Sequence, residues 1–266
     1  MIDNGYLFAK DNKRLFINTS LGCAGQCVYC YLPKMGYSNS SYNYKTISAQ
    51  RIIDFIEQNK LDINQETLIT IGCYSECWDN YNKNETINLI KYFLKKGNQV
   101  QLSTKKQIKK EEIIGILSLI KYFGQLVIFV SFATISQQEV IEKNTTPVLE
   151  RFKNFRLFNS LNIPIVLYMK PVLNDITIQD LELYKKYIYQ YAIRDVVVGS
   201  IFTGNISEET VHFSDKNLLF YTKNDDEDTI ISELSKVANV YRRSSEVMYK
   251  YRTNYYKKKY YYKKIN

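Results

Sequence analysis

The sequence predicts an α/β protein built on a parallel sheet. Six short runs of β-branched and other apolar residues alternate with five longer segments in which apolar residues recur at helical spacing. The predicted strands are residues 15–18, 67–71, 100–103, 126–132, 165–169 and 195–199. The predicted helices lie near residues 48–59, 84–96, 110–122, 147–161 and 177–191. Strands separated by helices pair in parallel through right-handed crossovers, so the pattern favours an open doubly wound sheet or a full or partial barrel.

Residues at the ends of the predicted helices support this order. Residues 84–86, Asn-Glu-Thr, open the second helix and Gly97 closes it, while Pro147 stands in a first helical turn, where proline is tolerated. Both architectures place their functional sites at the carboxyl ends of the strands. The loops after the strands are therefore where we expect the residues that carry the chemistry.

The end of the chain differs from the rest. A further strand is predicted at residues 218–222, followed by an acidic run at 225–228 that suits a helix N-terminus and by a helix near 229–243. Residues 241–266 hold nine basic side chains, one acidic side chain and eight tyrosines, a net charge of +8. The whole chain of 266 residues carries +9, so the remainder is close to neutral. We predict a core domain over residues 1–240 and a Lys/Tyr-rich basic tail over residues 241–266.

The composition excludes several classes of protein. With 45% hydrophobic residues, four prolines and ten glycines, the chain is neither disordered nor collagen-like. No apolar run approaches the roughly 18 residues of a membrane span, so we expect a soluble protein with no membrane span. The N-terminus lacks a charged segment followed by an apolar one, which predicts a cytoplasmic protein whose cysteines stay reduced.

The five cysteines form two groups, and the first has the spacing of an iron–sulfur ligand set. Cys23, Cys27 and Cys30 follow the first predicted strand, and Cys73 and Cys77 follow the second. A closed zinc site needs four ligands, and the single histidine lies far along the chain. Three thiolates separated by three and two residues can instead bind three irons of a 4Fe-4S cluster and leave the fourth iron open. An open iron can bind a substrate or a cofactor.

The motif Cys-x3-Cys-x2-Cys, with the aromatic Tyr29 before its last cysteine, resembles the signature of the radical S-adenosylmethionine (SAM) family. The resemblance implies a partial (β/α)6 parallel barrel of the radical SAM type, to which the sequence adds the C-terminal helical extension and the basic tail described above. It also implies two cofactors, a 4Fe-4S cluster held by the three cysteines and S-adenosyl-L-methionine on the open iron. In this family an external reductant of the flavodoxin or ferredoxin type reduces the cluster. One electron then cleaves S-adenosylmethionine to a 5′-deoxyadenosyl radical, which abstracts a substrate hydrogen.

Within this family the sequence is similar to spore photoproduct lyase and its relatives. Residues 27–32, Cys-Val-Tyr-Cys-Tyr-Leu, are similar to the lyase motif at the cluster, and residues 72–75, Gly-Cys-Tyr-Ser, stand where the lyase has Cys-Thr-Ser. Further matches follow in the same order at residues 103–105, 130–131, 141–142 and 150–152. The usual Gly-Gly-Glu-Pro after the second strand is absent, which points to this subgroup.

The resemblance assigns roles to individual residues. Cys73 takes the place of the cysteine that returns a hydrogen atom to the product radical, and Tyr29 and Tyr31 take those of the tyrosines that relay it back to the cofactor. The weak S–H bond of a buried thiol suits such a donor; the alternative is that Cys73 packs a strand end. For Glu142 and Arg151 the alternative to ligand binding is an ion pair with each other. The residues assigned to S-adenosylmethionine binding are Gly72, Ser75, Lys105, Ser131, Glu142, Arg151 and Ile201.

These features predict a radical SAM enzyme that acts on a nucleic-acid lesion or base. Basic residues interleaved with tyrosine in residues 241–266 are typical of a nucleic-acid contact, with charge for phosphates and rings for stacking. A solvated, compositionally biased tail is the alternative. The N-terminal portion and the C-terminal basic hairpin of the lyase are not recognisable in this sequence. Two other functions therefore stay open: a peptide-modifying radical enzyme, such as an epimerase with Cys73 as hydrogen donor, and a non-catalytic iron–sulfur nucleic-acid-binding module.

Overall fold

The computed structural model describes residues 5–11, 13–39, 45–203, 209–214, 217–222 and 224–263. From the N-terminus the elements are β1 (Leu7–Asp11), β2 (Arg14–Ile17), β3 (Ser20–Leu21), a 3-10 helix (Leu32–Met35), β4 (Lys45–Thr46), α1 (Ala49–Gln58), β5 (Leu68–Ile71), α2 (Lys83–Lys96), β6 (Val100–Thr104) and α3 (Lys110–Leu117). They continue with β7 (Leu126–Ser131), α4 (Gln138–Ile141), α5 (Val148–Ser160), β8 (Ile165–Met169), a second 3-10 helix (Thr177–Asp180), α6 (Leu181–Gln190), β9 (Asp195–Val198), β10 (Ile201–Thr203), β11 (Glu209–Ser214), β12 (Asn217–Thr222), α7 (Asp226–Leu234), β13 (Asn239–Tyr241) and α8 (Ser244–Lys263). The six strands and five helices of the predicted alternating series are all present.

Seven parallel strands form the centre of the structure. The main sheet has the order β1-β2-β5-β6-β7-β8-β9-β13, and every neighbouring pair from β2 onward is parallel. β1 pairs antiparallel with β2 at one edge. The order of the parallel strands follows the chain, as successive right-handed crossovers in one direction produce. The predicted α/β fold with a partial parallel barrel is confirmed, with one parallel strand more than the six expected.

The two faces of the sheet bury different partners. In β7, Ile128 and Val130 belong to the large core that also contains residues of α1, α2, α3, α5 and α6. Val127 and Phe129 point to the other face, called here the inner face, where they meet residues of α8. Successive side chains of a strand alternate between faces, and all six residues of β7 are buried. This central strand is therefore covered on both sides, as is usual for a parallel sheet.

The segment after α7 corrects one prediction. The sequence predicts a helix near residues 229–243, but α7 ends at Leu234 and β13 follows. β13 pairs in parallel with β9, from Asn239 beside Asp195 to Tyr241 beside Val197. This pairing satisfies backbone N–H and C=O groups that the edge of β9 would otherwise leave free. Helical spacing extends the prediction too far because the strand that pairs with β13 is distant in sequence.

The basic C-terminal segment begins as a helix packed on the inner face. α8 buries Val247, Met248 and Tyr251 beside residues of β5, β7, β8 and β9. The packing is close at Gly124, where a Cβ atom would lie 2.4 Å from the Cβ of Tyr251. The domain boundary at residue 240 stays a prediction. The packing shows that one side of the first turns of α8 belongs to the buried interior of the protein.

Two small sheets accompany the main one. β3 pairs with β4, and the three strands β10, β12 and β11 form an antiparallel sheet. The strand predicted at residues 218–222 is present as β12. In the part of the chain that the structure describes, no helix combines the length and the hydrophobicity needed to cross a lipid bilayer.

Candidate active site

A cavity of about 700 Å³ lies at the carboxyl ends of the central strands and extends over the inner face of the sheet. It collects residues from separate loops, because the carboxyl ends of parallel strands lie at one edge of a sheet. The sequence-predicted residues that line it are Cys23, Cys27, Tyr29, Cys30, Tyr31, Gly72, Cys73, Ser75, Lys105, Ser131 and Ile201. The two predicted residues outside this lining are Glu142 and Arg151.

The cysteine loop has the donor set that a cubane cluster needs. Cys23, Cys27 and Cys30 are free, partly exposed thiols on one cavity. Gly25 lies between two of them: its N–H donates to Cys23 Sγ at 3.3 Å. A Cβ on Gly25 would lie 3.4 Å from Cys23 Sγ and 3.6 Å from Cys27 Sγ, so glycine leaves space beside both sulfurs. The residues therefore fit a cluster with three protein ligands.

The cysteine loop does not have the geometry of a site for a single metal ion. Among the described residues, no group of three or more His, Cys, Asp or Glu side chains is arranged to hold one metal ion. In a cubane cluster each thiolate binds its own iron, so the three sulfurs need not converge on one point.

Residues of the loop after α4 form hydrogen bonds with the cysteine loop. The Asn144 backbone N–H donates to the Gly25 carbonyl oxygen at 3.2 Å, and its side-chain amide donates to that of Ala24 at 3.3 Å. Cys27 and Glu142 form an isolated antiparallel bridge. These backbone contacts hold the loop while leaving the thiols directed to the cavity.

Lys105 and Ser131 form a polar pair on the cavity wall, at the ends of β6 and β7. Lys105 Nζ donates to Ser131 Oγ at 2.8 Å and lies 3.8 Å from Glu142 Oε1. Burial disfavours the charged ammonium, but the negative charges of Glu142, Cys27 and Glu76 together outweigh that effect, and the pKa of Lys105 is raised. Lys105 therefore presents a positive point charge to the cavity, which suits a carboxylate ligand.

Glu142 and Arg151 form a fully buried ion pair behind the cavity wall. Arg151 Nη1 donates to Glu142 Oε2 and to the Ser131 carbonyl oxygen, both at 2.7 Å. The Tyr29 hydroxyl donates to Glu142 Oε1. The structure thus places the two charged side chains against each other, and they reach the cavity through Tyr29 and Lys105. Loss of either partner would leave a buried charge uncompensated.

Cys73 lies on the cavity wall, where Asn18 and Tyr31 hold it. The Asn18 amide lies 3.4 to 3.5 Å from Cys73 Sγ and accepts the Tyr74 N–H at 2.8 Å. The Tyr31 hydroxyl donates to the Cys73 carbonyl oxygen. Burial raises the pKa of Cys73 to about 12, so the thiol keeps its proton at neutral pH. The cavity therefore contains an intact S–H group beside a tyrosine.

The turn after β5 explains Cys77. Gly72 has a φ of +83°, and a Cβ on it would lie 2.5 Å from the Cys77 Cβ, so the turn requires glycine. Cys77 is fully buried, and its Sγ lies 3.4 Å from the carbonyl oxygen of Ser103. Cys77 packs behind the turn, whereas Cys73 faces the cavity.

Sequence reasoning missed several lining residues. The buried Glu76 accepts the Lys105 N–H at 2.8 Å and the Thr104 hydroxyl at 2.5 Å, and it thereby fixes the end of β6. The sequence could have indicated that Glu76 belongs to the site, because Glu76 follows the turn that begins at Gly72. Asn18, which follows β2 and contacts Cys73 without lining the cavity, offered no motif. The other lining residues without a sequence signal include Arg14, Gln101, Tyr168, Lys170, Arg243, Ser244 and Tyr249.

The fold and the cysteine loop define the class of protein, and comparison with family models agrees. Residues 17–188 match the model of the Radical SAM superfamily, and the chain belongs to that family. It is a radical SAM enzyme, and the family uses a 4Fe-4S cluster and S-adenosylmethionine. In a sequence comparison, no protein of curated function matches the chain.

Solved structures with a similar fold include spore photoproduct lyase. A cysteine-to-serine variant of that enzyme superposes with a TM-score of 0.63 at 15% identity, covering 85% of this chain and 76% of the lyase chain. A variant with bound AdoMet and dinucleoside spore photoproduct gives a TM-score of 0.61 at 14% identity, over 86% and 76% of the two chains. Streptococcus suis SuiB bound to S-adenosylmethionine gives 0.58 at 15% identity, over 87% of this chain and 50% of SuiB. At these identities the likeness establishes a shared fold.

Proposed function

We propose that the protein uses a 4Fe-4S cluster and S-adenosylmethionine to abstract hydrogen from a nucleic-acid lesion or base, in a reaction similar to that of spore photoproduct lyase. One observation carries the proposal: the three cluster cysteines, the Lys105–Ser131 pair and Cys73 line a single cavity. Its volume of about 700 Å³ is within the range of sites that bind organic ligands. The fold shared with a lyase structure that contains AdoMet and a dinucleoside photoproduct supports the analogy.

The cofactors are assigned to one end of the cavity. Cys23, Cys27 and Cys30 bind the cluster. When reduced by a flavodoxin- or ferredoxin-type donor, the bound cofactors supply the radical that abstracts the substrate hydrogen. Lys105 binds the carboxylate of S-adenosylmethionine by its charge, and Ser131 binds it through its hydroxyl.

The remaining predicted residues complete the cofactor site. Gly72, Ser75 and Ile201 line the same cavity and contact the rest of S-adenosylmethionine. Glu142 and Arg151, buried behind the wall, orient the charge of Lys105 and the hydroxyl of Tyr29 instead of touching the ligand. We assign the enzyme to the cytoplasm because a reducing compartment keeps the cluster thiols free to bind iron.

Cys73 is the proposed hydrogen donor. Its S–H bond breaks, a C–H bond forms at the substrate radical, and a thiyl radical remains on sulfur. Tyr31 then transfers its hydroxyl hydrogen atom to that sulfur, which restores the thiol and leaves a tyrosyl radical. Tyr29 then gives its hydroxyl hydrogen atom to the Tyr31 radical, so the Tyr31 hydroxyl is restored and the radical lies on Tyr29, toward the cofactor end of the cavity. The raised pKa of Cys73 supports this role, because the donor must keep its hydrogen until the radical arrives.

The first test measures cofactor cleavage. We expect anaerobically reconstituted, dithionite-reduced protein to release 5′-deoxyadenosine from S-adenosylmethionine, and Cys27→Ala to release none because one cluster ligand is lost. Cys77→Ala is the matched control, since this buried thiol faces away from the cavity. Failure of the folded wild-type holoenzyme to release 5′-deoxyadenosine would contradict the proposed chemistry.

The second test measures the substrate and the hydrogen donor together. Ultraviolet-irradiated DNA and short synthetic peptides are incubated separately with the holoenzyme in D2O, and the products are analysed by mass spectrometry. We expect a modified DNA product that carries deuterium from the exchanged Cys73 thiol. Cys73→Ala should still consume cofactor but give an abnormal product without that deuterium. Normal product from Cys73→Ala would make the residue structural, and reaction with peptides alone would replace the nucleic-acid substrate by a peptide.

A further inference from the structure

The first turn of α8 forms part of the cavity wall. Arg243, Ser244, Ser245 and Tyr249 line the cavity, although they come from the segment that the sequence presents as a tail. Ser244 is buried, and its hydroxyl accepts a hydrogen bond from Arg14 Nη2 at 3.3 Å. The last helix of the chain therefore meets the first parallel strand inside the site.

The residues around Ser244 make a polar region whose hydrogen bonds are incomplete. Arg14 Nε donates to Thr70 Oγ1 at 2.9 Å, and Gln101 Nε2 donates to Ser244 Oγ at 3.4 Å. Gln101 is only 5% exposed, yet its Oε1 has no hydrogen-bond partner among the described residues. A buried polar atom is costly unless a ligand or water satisfies it. This region is therefore built to receive a polar molecule.

The cavity lining carries an excess of positive charge. Five basic and two acidic side chains line it. Both acids already have partners: Asp79 lies 3.3 Å from Lys106, and Glu76 accepts the hydrogen bonds that fix the end of β6. Lys105 belongs to the proposed cofactor end. The other basic residues of the lining are Arg14, Lys170 and Arg243.

We infer that a phosphate group of the substrate binds between Arg14 and Arg243, over the first turn of α8. A guanidinium can hold phosphate with two parallel hydrogen bonds, and the amino end of a helix favours an anion. Tyr249, on the same helix, offers an aromatic ring to a neighbouring base. Gln101 Oε1 is an acceptor, so it takes its hydrogen bond from a base N–H or sugar O–H of the substrate and not from the phosphate. The inference rests on the proposed nucleic-acid substrate and adds which residues of this chain recognise it.

Arg242 provides a matched control for Arg243. The two arginines are neighbours, but the Arg242 guanidinium lies 2.5 Å from Asp228 and 3.7 Å from Glu227 and is outside the cavity lining. Arg242→Gln and Arg243→Gln each remove one positive charge at nearly the same place in the chain. A change in net charge therefore affects the binding affinity of both variants equally. A difference in affinity between the two variants reports a direct contact between Arg243 and the probe.

The test measures binding of two probes to the holoenzyme by isothermal titration calorimetry. One probe is the thymidine dinucleoside monophosphate, and the other is its uncharged methylphosphonate analogue. We expect Arg243→Gln to weaken binding of the charged probe by about tenfold or more, and Arg242→Gln to change it by less than about twofold. The uncharged analogue should bind wild type more weakly and be insensitive to Arg243→Gln.

Several results would overturn the inference. One is an equal loss of affinity for the charged probe in Arg242→Gln and Arg243→Gln. Another is equal affinity of the wild-type protein for the charged and the uncharged probe. A third is that the wild-type protein binds a hexaglutamate peptide instead of the dinucleotide. Release of 5′-deoxyadenosine without substrate is measured on the same samples. Cofactor cleavage without dinucleotide binding overturns the phosphate site and leaves the radical chemistry standing, whereas absent cleavage contradicts the proposed function itself.

Discussion

The cysteine loop of residues 23–30 and helix α8 line the same cavity, but they reach it in different ways. The loop is local: its three cysteines lie within eight residues directly after β2 and β3. α8 comes from the other end of the chain and reaches the cavity because β13 joins the sheet and Val247, Met248 and Tyr251 pack on its inner face. The first region is recognisable from spacing, whereas the second depends on long-range packing.

α8 also changes its surroundings along its length. Its first turn lines the cavity, but Gln99 Nε2 donates to the Met248 carbonyl oxygen at 2.9 Å, and Arg252 Nη1 donates to that of Glu66 at 2.6 Å. Gln99 and Glu66 precede β6 and β5, so the helix runs toward the amino ends of the strands. With 20 residues, α8 is about 30 Å long. Lys257, Lys258, Lys259 and Lys263 therefore belong to the end of α8 that is far from the cavity.

Removal of the whole of α8 is expected to have the largest effect on the protein. Deleting residues 244–266 exposes the inner-face cluster, and burial of each large apolar side chain contributes about 1.5–3 kcal/mol. Their sum is comparable with the entire free energy of unfolding of a domain, about 5–15 kcal/mol. We expect the truncated protein to lose its cooperative thermal transition, measured by circular dichroism.

A shorter deletion provides the comparison. Removing residues 256–266 leaves Ser244, Val247, Met248 and Tyr251 in place, which are the α8 side chains that the structure describes as buried, so the melting temperature should stay within a few degrees of wild type. The lost lysines should lower the affinity for DNA and flatten its dependence on salt, measured by fluorescence anisotropy. Equal destabilisation by the two deletions would show that α8 is a single structural unit, and unchanged DNA affinity would remove the proposed role of the basic end.

Asp195 is expected to anchor α8 to the sheet in a pH-dependent way. Its buried carboxylate accepts hydrogen bonds from Lys250 Nζ at 2.8 Å and from the Tyr251 hydroxyl. Burial opposes ionisation, but these hydrogen bonds outweigh it, and the pKa of Asp195 is lowered from its usual 3.8. We expect Asp195→Asn to lower the free energy of unfolding at pH 7 by about 2 kcal/mol, measured by urea denaturation.

The pH dependence of the free energy of unfolding tests whether the Asp195 carboxylate causes the loss of stability in Asp195→Asn. Because the folded-state pKa lies below the unfolded one, the stabilisation by Asp195 is complete above the unfolded value and disappears as the pH falls through the folded value. The difference between wild type and Asp195→Asn should therefore close in acid. A difference that stays constant down to the acid limit of the fold would assign the loss to altered packing.

Asn18→Ala is expected to disturb the hydrogen donor more than the cofactor site. The substitution removes the amide that touches Cys73 Sγ and that accepts the Tyr74 N–H, at a cost of about 1–3 kcal/mol. The cluster cysteines lie in another loop, so release of 5′-deoxyadenosine should stay within about threefold of wild type. Deuterium transfer to product in D2O should fall severalfold. Unchanged deuterium transfer would mean that Asn18 supports only the fold.

Gly25→Ala is expected to have the smallest effect, confined to the cluster. The added methyl group would contact Cys23 Sγ and Cys27 Sγ at 3.4 and 3.6 Å. We expect iron content after reconstitution to fall modestly, by about half, with no change in melting temperature. Gly115→Ala is the control, because the nearest atom to its Cβ is 4.0 Å away, and it should retain full iron content. Full iron content in Gly25→Ala would show that the space between the sulfurs is not needed.

The sequence predicted the alternating series well because each part of it is a local signal. β-Branched runs mark the buried parallel strands, and Gly97 ends α2 in a left-handed conformation, as expected of a helix C-cap. The prediction failed after Leu234, where β13 forms only by pairing with β9. A three-residue edge strand carries too little pattern to be distinguished from helix, since its stability comes from the neighbouring strand.

In the candidate site, too, the residues with a local sequence signal were predicted, and the residues placed by long-range contacts were not. Cys23, Cys27 and Cys30 are found by spacing alone, since a cluster ligand set is short in sequence. The choice between two roles for Glu142 and Arg151 needed the buried contact of 2.7 Å between them. Asn18 had no motif, because its place beside Cys73 results from the pairing of β2 with β5.

The sequence by itself determined the parallel α/β fold, the family and the cysteines that suit its cluster, because periodicity and spacing are properties of short segments. Only the tertiary structure decided that β13, Asn239–Tyr241, is a seventh parallel strand and that residues 241–266 then bring Arg243 and Ser244 to the cavity. Composition describes the charge of that segment but contains no information on which face of the sheet buries Val247 and Tyr251. The buried face is chosen by contacts with residues distant in sequence. Examples are the hydrogen bonds that Lys250 and Tyr251 of α8 donate to Asp195 of β9.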